Sequence, residues 1–285
     1  MPRKNVNGID IAYEIVGDGK RSAIITPGGR YSKDTPGVRE LALKLAGDGF
    51  RTVIWDRPNC GESDVSFTGS SESRLHADTL AGLLRELELA PAMVIGGSAG
   101  ARVSLLAAFH HPEVVERLAI LWITGGLLSQ AMLASLYCHD SMFAAAQDGM
   151  EAVVSLPLWK EQIERNPRNR AVLLAQDPRT FVEKMQAWGA ALIPTGEQPL
   201  PGINAAELAR LTMPVLIFRS GASDVHHPRQ TSERLHEAIP GSRLVEPPWG
   251  DREWLERTKA AEIRGEGLFV RWPLLAPQLV EFANS

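Results

Sequence analysis

Residues 92–102 read Ala-Met-Val-Ile-Gly-Gly-Ser-Ala-Gly-Ala-Arg. The apolar run Ala92 to Ile95 predicts a short buried strand. It stops at Gly96-Gly97-Ser98-Ala99-Gly100, and a helix is expected at once over Arg102 to His110. The five residues at the break fit G-x-S-x-G. A chain that turns this sharply from strand into helix leaves no room for side chains beside the serine. Here the neighbours are Gly96, Gly97, Ala99 and Gly100. The serine is forced into a strained backbone conformation, and its hydroxyl projects at a helix N-terminus, where the amides favour developing negative charge. Ser98 is therefore the candidate nucleophile.

The same alternation extends in both directions. Gly8 to Val16 has the period of a half-buried strand and belongs to an opening hairpin. Ser22 to Thr26, Arg51 to Trp55, Leu118 to Ile123, Pro214 to Phe218 and Arg243 to Glu246 are further strands. Helical spacing covers Val38 to Ala46, Ser73 to Leu89 and Leu274 to Phe282. Strands alternating with helices predict an α/β fold, a mostly parallel central sheet flanked by helices. From Leu127 to Gly202 the strand signal vanishes. This reads as an inserted helical cap over 127–202, returning through a Pro/Gly-rich linker at Pro194 to Gly202, with the core formed by 1–126 and 203–285. Such an insertion would lie over the C-terminal ends of the strands, where sheets of this kind bind ligands.

Composition narrows the function. The 285 residues are 44% apolar, enough for a sizeable core, and the net charge of −4 offers no basic face for nucleic acid or an anionic membrane. No apolar run approaches the ~20 residues that span a bilayer, and no signal-type apolar segment follows the N-terminus. A soluble, cytoplasmic protein acting on a small-molecule substrate is expected, with a homo-oligomer left open. Cys60 and Cys138 do not suggest a disulfide framework. With no nucleotide-binding Gly-rich loop after the first strand and no H-E-x-x-H, neither a cofactor nor a metal is expected.

The chain resembles the α/β-hydrolase superfamily over nearly all its length. Pro27-Gly28-Gly29 stands where that family has its oxyanion loop. Asp56 to Asp64 resembles its D-x-x-G-x-G-x-S-D stretch, with Asn59 in place of the first glycine. Gly221-Ala222-Ser223-Asp224, with Pro228 four residues on, resembles its acid loop. The resemblance implies the fold, makes Asp224 the acid of a triad, and places the oxyanion-hole amides at Gly29 and Ala99. The chain order nucleophile then acid is obeyed.

The family's histidine follows the last strand. In this chain Pro247-Pro248-Trp249-Gly250-Asp251 occupies that stretch, Asp251 stands at the corresponding place, and no histidine follows His236. Loss of the base lowers a serine hydrolase by ~10⁴ to 10⁶ in kcat, so hydrolysis requires another base. His226 is the first candidate, with His227 beside it on the same loop and His139 in the cap as further ones. Asp251 could itself move protons. Arg30 could clamp a substrate carboxylate or simply pair with a surface acid. The cap's Met and Trp residues read as core, with some lining an apolar cavity. Three functions remain open on these residues. One is a serine hydrolase of an ester, lactone or C–C bond in a small, moderately apolar metabolite. Another is a lyase, decarboxylase or cyclase using Asp224 or Asp251. The last is a ligand-binding protein without turnover.

Overall fold

The computed structural model describes residues 2–195 and 198–285. Among the described residues eight strands, β1 (Arg3–Val6), β2 (Ile9–Val16), β3 (Arg21–Thr26), β4 (Phe50–Trp55), β5 (Ala92–Gly97), β6 (Val115–Leu121), β7 (Val215–Phe218) and β8 (Arg243–Val245), form one sheet. Their order is β1-β2-β4-β3-β5-β6-β7-β8. β2 runs antiparallel to β1 and β4, and the strands from β4 to β8 are parallel.

The Ile/Val runs are buried because both faces of the sheet are covered. Alternate residues serve alternate faces. Ile24, Val53 and Val94 join one apolar cluster, which α2 (Glu72–Glu86) and α3 (Ala99–His110) complete with Leu80, Leu84, Val103 and Leu106. Ile25, Ile54 and Ile95 face the other way. They meet Leu41 and Leu45 of α1 (Val38–Gly47) and, from the chain's end, Leu279 and Phe282. Ser71 caps α2, its hydroxyl accepting the Arg74 amide at 3.1 Å.

Between β6 and β7 lie α4 (Leu127–Ala134), a π-turn at Ser135–His139, α5 (Asp140–Asp148), α6 (Met150–Val154), α7 (Pro157–Arg165), α8 (Arg168–Leu174) and α9 (Pro178–Ala190). Gly196 and Glu197 of the expected return linker lie outside the described residues. Trp159, Phe181 and Trp188 of this insertion surround Phe67, which belongs to the loop after β4. The insertion therefore shares its apolar cluster with the sheet's α2–α3 face. The chain continues through α10 (Ala205–Leu208), β7, α11 (Arg229–Ala238), β8, α12 (Glu253–Arg264) and α13 (Ala276–Ala283). No helix among the described residues is long and apolar enough to cross a membrane.

Candidate active site

The turn from β5 into α3 holds Ser98 at φ 56°, ψ −123°, a region costly for any residue with a Cβ. Close packing enforces it. α3 approaches the end of β3 so tightly that a Cβ on Gly100 would sit 2.1 Å from the Thr26 carbonyl oxygen. The Ser98 amide donates to the Leu121 carbonyl of β6 at 3.1 Å, anchoring the turn across the sheet. Its hydroxyl projects into a cavity of ≈ 200 Å³.

His227 meets that hydroxyl. It lies between β7 and α11, three residues after Asp224. Nε2 of His227 is 2.9 Å from Ser98 Oγ, and Nδ1 is 2.9 Å from Asp224 Oδ2. Asp224 Oδ1 accepts the amides of His226 and His227 at 3.0 and 2.9 Å. This Asx-type turn folds the chain back over its own carboxylate. Both side chains are almost wholly buried. The carboxylate thus accepts three hydrogen bonds, and the one from His227 fixes Nδ1 as the ring nitrogen that carries the proton. Indole rings flank the imidazole. Trp122 lies nearly parallel at 6.1 Å, and Trp254 of α12 meets it edge-to-face at 4.5 Å. Trp122 itself sits at φ 47°, a second strained backbone at the site. Thr124 Oγ1 is 3.3 Å from Ser98 Oγ.

The loop after β3 faces the same hydroxyl. Gly29, at φ 52°, lies in a turn closed by the Tyr31 amide on the Gly28 carbonyl at 3.3 Å, which leaves the Gly29 amide unused by the turn. Ala99 opens α3, so its amide has no carbonyl one turn earlier to bond. Arg57, buried behind the loop, donates through Nη2 to the carbonyls of Gly28, Gly29 and Tyr31 at 3.2, 2.8 and 3.3 Å. Drawing these oxygens backwards holds the loop's orientation. The sequence marks Arg57 only as one member of the stretch after β4.

The remaining candidates fall elsewhere. His226 lines the cavity, but no hydrogen bond joins it to Ser98; its Nδ1 accepts the Trp254 indole N–H at 2.8 Å. Burial and the neighbouring His227 push its pKa down. His227 thus takes the contact expected first of His226, because the Asx-type turn presents the third residue after Asp224, not the second, to the carboxylate. His139 is exposed beside Asp140 and stacks on Phe143, outside the cavity. Asp251 is also outside it. Its carboxylate pairs with Arg229, and its carbonyl accepts the Ser223 hydroxyl at 2.5 Å. An exposed, ion-paired carboxylate has no path to Ser98.

Arg30 does not line the cavity at Ser98, and its partner is not a surface acid. It turns behind the loop to bond Glu72 at 2.6 Å, with 11% and 13% of the two side chains exposed. Burial opposes the charge of Arg30, but Glu72 outweighs it and the guanidinium stays ionised. Arg102 lies nearby, and burial lowers it to about 10. Burial also drives His76 down to about 3, so it is neutral. Cys60 is buried, and burial raises its thiol pKa.

Residues 24–277 match the profile of the alpha/beta hydrolase family. A human protein, serine hydrolase BPHL, is 26% identical over 251 residues, covering 86% of this chain and 77% of its own. Among solved structures, the enol-lactonase from Burkholderia xenovorans LB400 superposes with a TM-score of 0.60 at 21% identity and full coverage of both chains. The esterase EaEST from Exiguobacterium antarcticum does so with a TM-score of 0.58 at 17% identity, covering 98% and 97%.

Proposed function

Because the chain belongs to the alpha/beta hydrolase family, we propose that it is a serine hydrolase whose base has moved from the loop after β8 to the loop after β7. The observation that carries this reading is the unbroken hydrogen-bond line Asp224–His227–Ser98, each link 2.9 Å. A nucleophile within hydrogen-bond reach of a base that is itself oriented by a third group is the signature of covalent catalysis.

His227 Nε2 takes the Ser98 proton as Oγ attacks the substrate carbonyl. The amides of Gly29 and Ala99 receive the oxyanion, each worth ~3 kcal/mol. The imidazolium, held by Asp224 and flanked by Trp122 and Trp254, protonates the leaving oxygen. Water, deprotonated by His227, then releases the acid from Ser98. Asp224 spends both oxygens on this loop and Asp251 faces solvent, which weighs against a lyase run by either carboxylate.

The substrate is a small, uncharged ester or lactone. A cavity of ≈ 200 Å³ is below the usual range for drug-sized ligands. Met132, Leu133, Leu136, Leu268 and Phe269 line it, and no Asp, Glu, Lys or Arg does among the described residues. A substrate carboxylate would enter this pocket without a counter-charge, which is costly. The name of the human relative, a serine hydrolase, agrees with the chemistry.

The test is to trap the acyl-enzyme. Brief incubation with p-nitrophenyl acetate, followed by acid quench and mass spectrometry, should place one acetyl group on Ser98. Ser98→Ala should carry none and show no burst of nitrophenol. Turnover that survives Ser98→Ala would sink the proposal.

A further inference from the structure

We infer that His226 is a substrate-binding group, donating a hydrogen bond from Nε2 to an oxygen on the leaving-group side of the substrate. The inference rests on the hydrolase reading above and adds a specificity to it.

Trp254 sets the tautomer of His226. An indole N–H can only donate, and it points at His226 Nδ1 from 2.8 Å. Nδ1 must therefore be the acceptor, so the neutral ring carries its proton on Nε2. The ring stays neutral because burial and His227 disfavour its charged form. Nε2 has no hydrogen-bond partner among the described residues, while the ring forms part of the wall around Ser98.

Of the other polar groups of that wall, Tyr31 is 42% exposed and faces solvent. Ser98 and His227 bond each other, and Thr124 lies against the serine. The Tyr137 hydroxyl has no partner, but it is sealed from solvent. His226 thus supplies a donor with a fixed tautomer and unused capacity.

Its place decides which end of the substrate it meets. The rings of His226 and His227 are 6.4 Å apart. In the reaction proposed, His227 hands its proton to the leaving oxygen, so the alcohol part passes beside this loop. A second oxygen a few bonds from the ester oxygen, as in an ether, hydroxyl or carbonyl, comes within reach of His226. The favoured class is an uncharged ester or lactone whose alcohol portion carries such an acceptor.

Two esters of equal size separate the effects. Methoxyethyl butanoate and butyl butanoate differ by an oxygen in place of a methylene. Their kcat/KM ratio, divided by their ratio of alkaline hydrolysis rates, isolates recognition. One neutral hydrogen bond is worth about fivefold, so the wild-type ratio should favour the ether by about that factor. His226→Phe should bring the ratio to unity. His226→Gln, which keeps an N–H, should restore part of it. Trp254→Phe, which frees the tautomer, should lower it. Using a ratio cancels general damage to the fold. Each variant is also treated with a fluorophosphonate to count active Ser98. An unchanged ratio in His226→Phe, with Ser98 still labelling, would overturn the inference alone. Failure of the wild-type Ser98 to label would overturn the hydrolase reading and this inference with it.

Discussion

Replacing Asp224 with asparagine exchanges one oxygen for an amide nitrogen and leaves the shape alone. The surroundings dictate how the new side chain sits. Oδ1 accepts two backbone amides, at 3.0 and 2.9 Å, and only an oxygen can do that. The amide nitrogen must then take the place of Oδ2, 2.9 Å from His227 Nδ1. Two donors cannot share that contact, so the imidazole shifts its proton to Nε2. That nitrogen faces Ser98 Oγ at 2.9 Å and can no longer accept its proton. The opposite rotamer would leave two buried amides without acceptors, at ~1–3 kcal/mol each. Loss of the correct tautomer lowers kcat by ~10⁴ in a triad of this kind, equivalent to ~5.5 kcal/mol in the barrier. The assay is steady-state hydrolysis of an activated ester, with thermal unfolding to show that the variant is folded. The fold should survive, since both backbone bonds are kept. A kcat within tenfold of wild type, in a folded Asp224→Asn protein, would refute the reasoning that Asp224 sets the tautomer of His227.

Three further outcomes follow from the same contacts. A Cβ on Gly28 would fall 2.4 Å from Ser98 Cβ, so Gly28→Ala should displace the loop or the serine and cost at least ~10² in kcat/KM, the worth of one oxyanion donor. His76 is buried, and its pKa is held at about 3, against ~6.5 in an unfolded chain. The unfolded state therefore takes up a proton that the folded state refuses, and stability falls as pH drops from ~6.5 towards 3, by up to ~1.4 kcal/mol per unit. Urea unfolding midpoints across that window should show the slope, and His76→Asn should flatten it. Arg30→Met leaves the Glu72 carboxylate enclosed without its ion partner and should destabilise by ~3–5 kcal/mol. Adding Glu72→Gln should recover much of the loss, measured by denaturant unfolding of the single and double variants.

The sheet and the turn at Ser98 were legible because their causes are local. Strands such as Ala92–Gly97 are buried on both faces and so read as continuous apolar runs, and the turn announces itself through its small residues. Which of the candidate histidines meets Ser98 was not legible. His226 and His227 are adjacent and of one type, and only the folding of the loop onto Asp224 decides between them. The Asp-x-x-His spacing ahead of Pro228 was the available signal, since an Asx-type turn returns the third residue towards the carboxylate. Arg30 misleads because its acid, Glu72, is 42 residues away in sequence and enclosed with it. α12 carries no clear apolar stripe because two of its buried positions are Glu253 and Arg257, which neutralise each other along with Arg271. Yet α12 presents Trp254 to both histidines. The segment where a histidine was sought after β8 thus helps hold the one that lies after β7.

The central claim is that His227 activates Ser98. Its most direct test is the rate at which a fluorophosphonate labels Ser98 in the wild type and in His227→Ala, followed by intact-protein mass spectrometry with Ser98→Ala as the blank. The account requires rapid, stoichiometric labelling of the wild type and a rate at least ~10⁴ lower without the imidazole. Equal rates in the two proteins, or no wild-type adduct at Ser98, would contradict it.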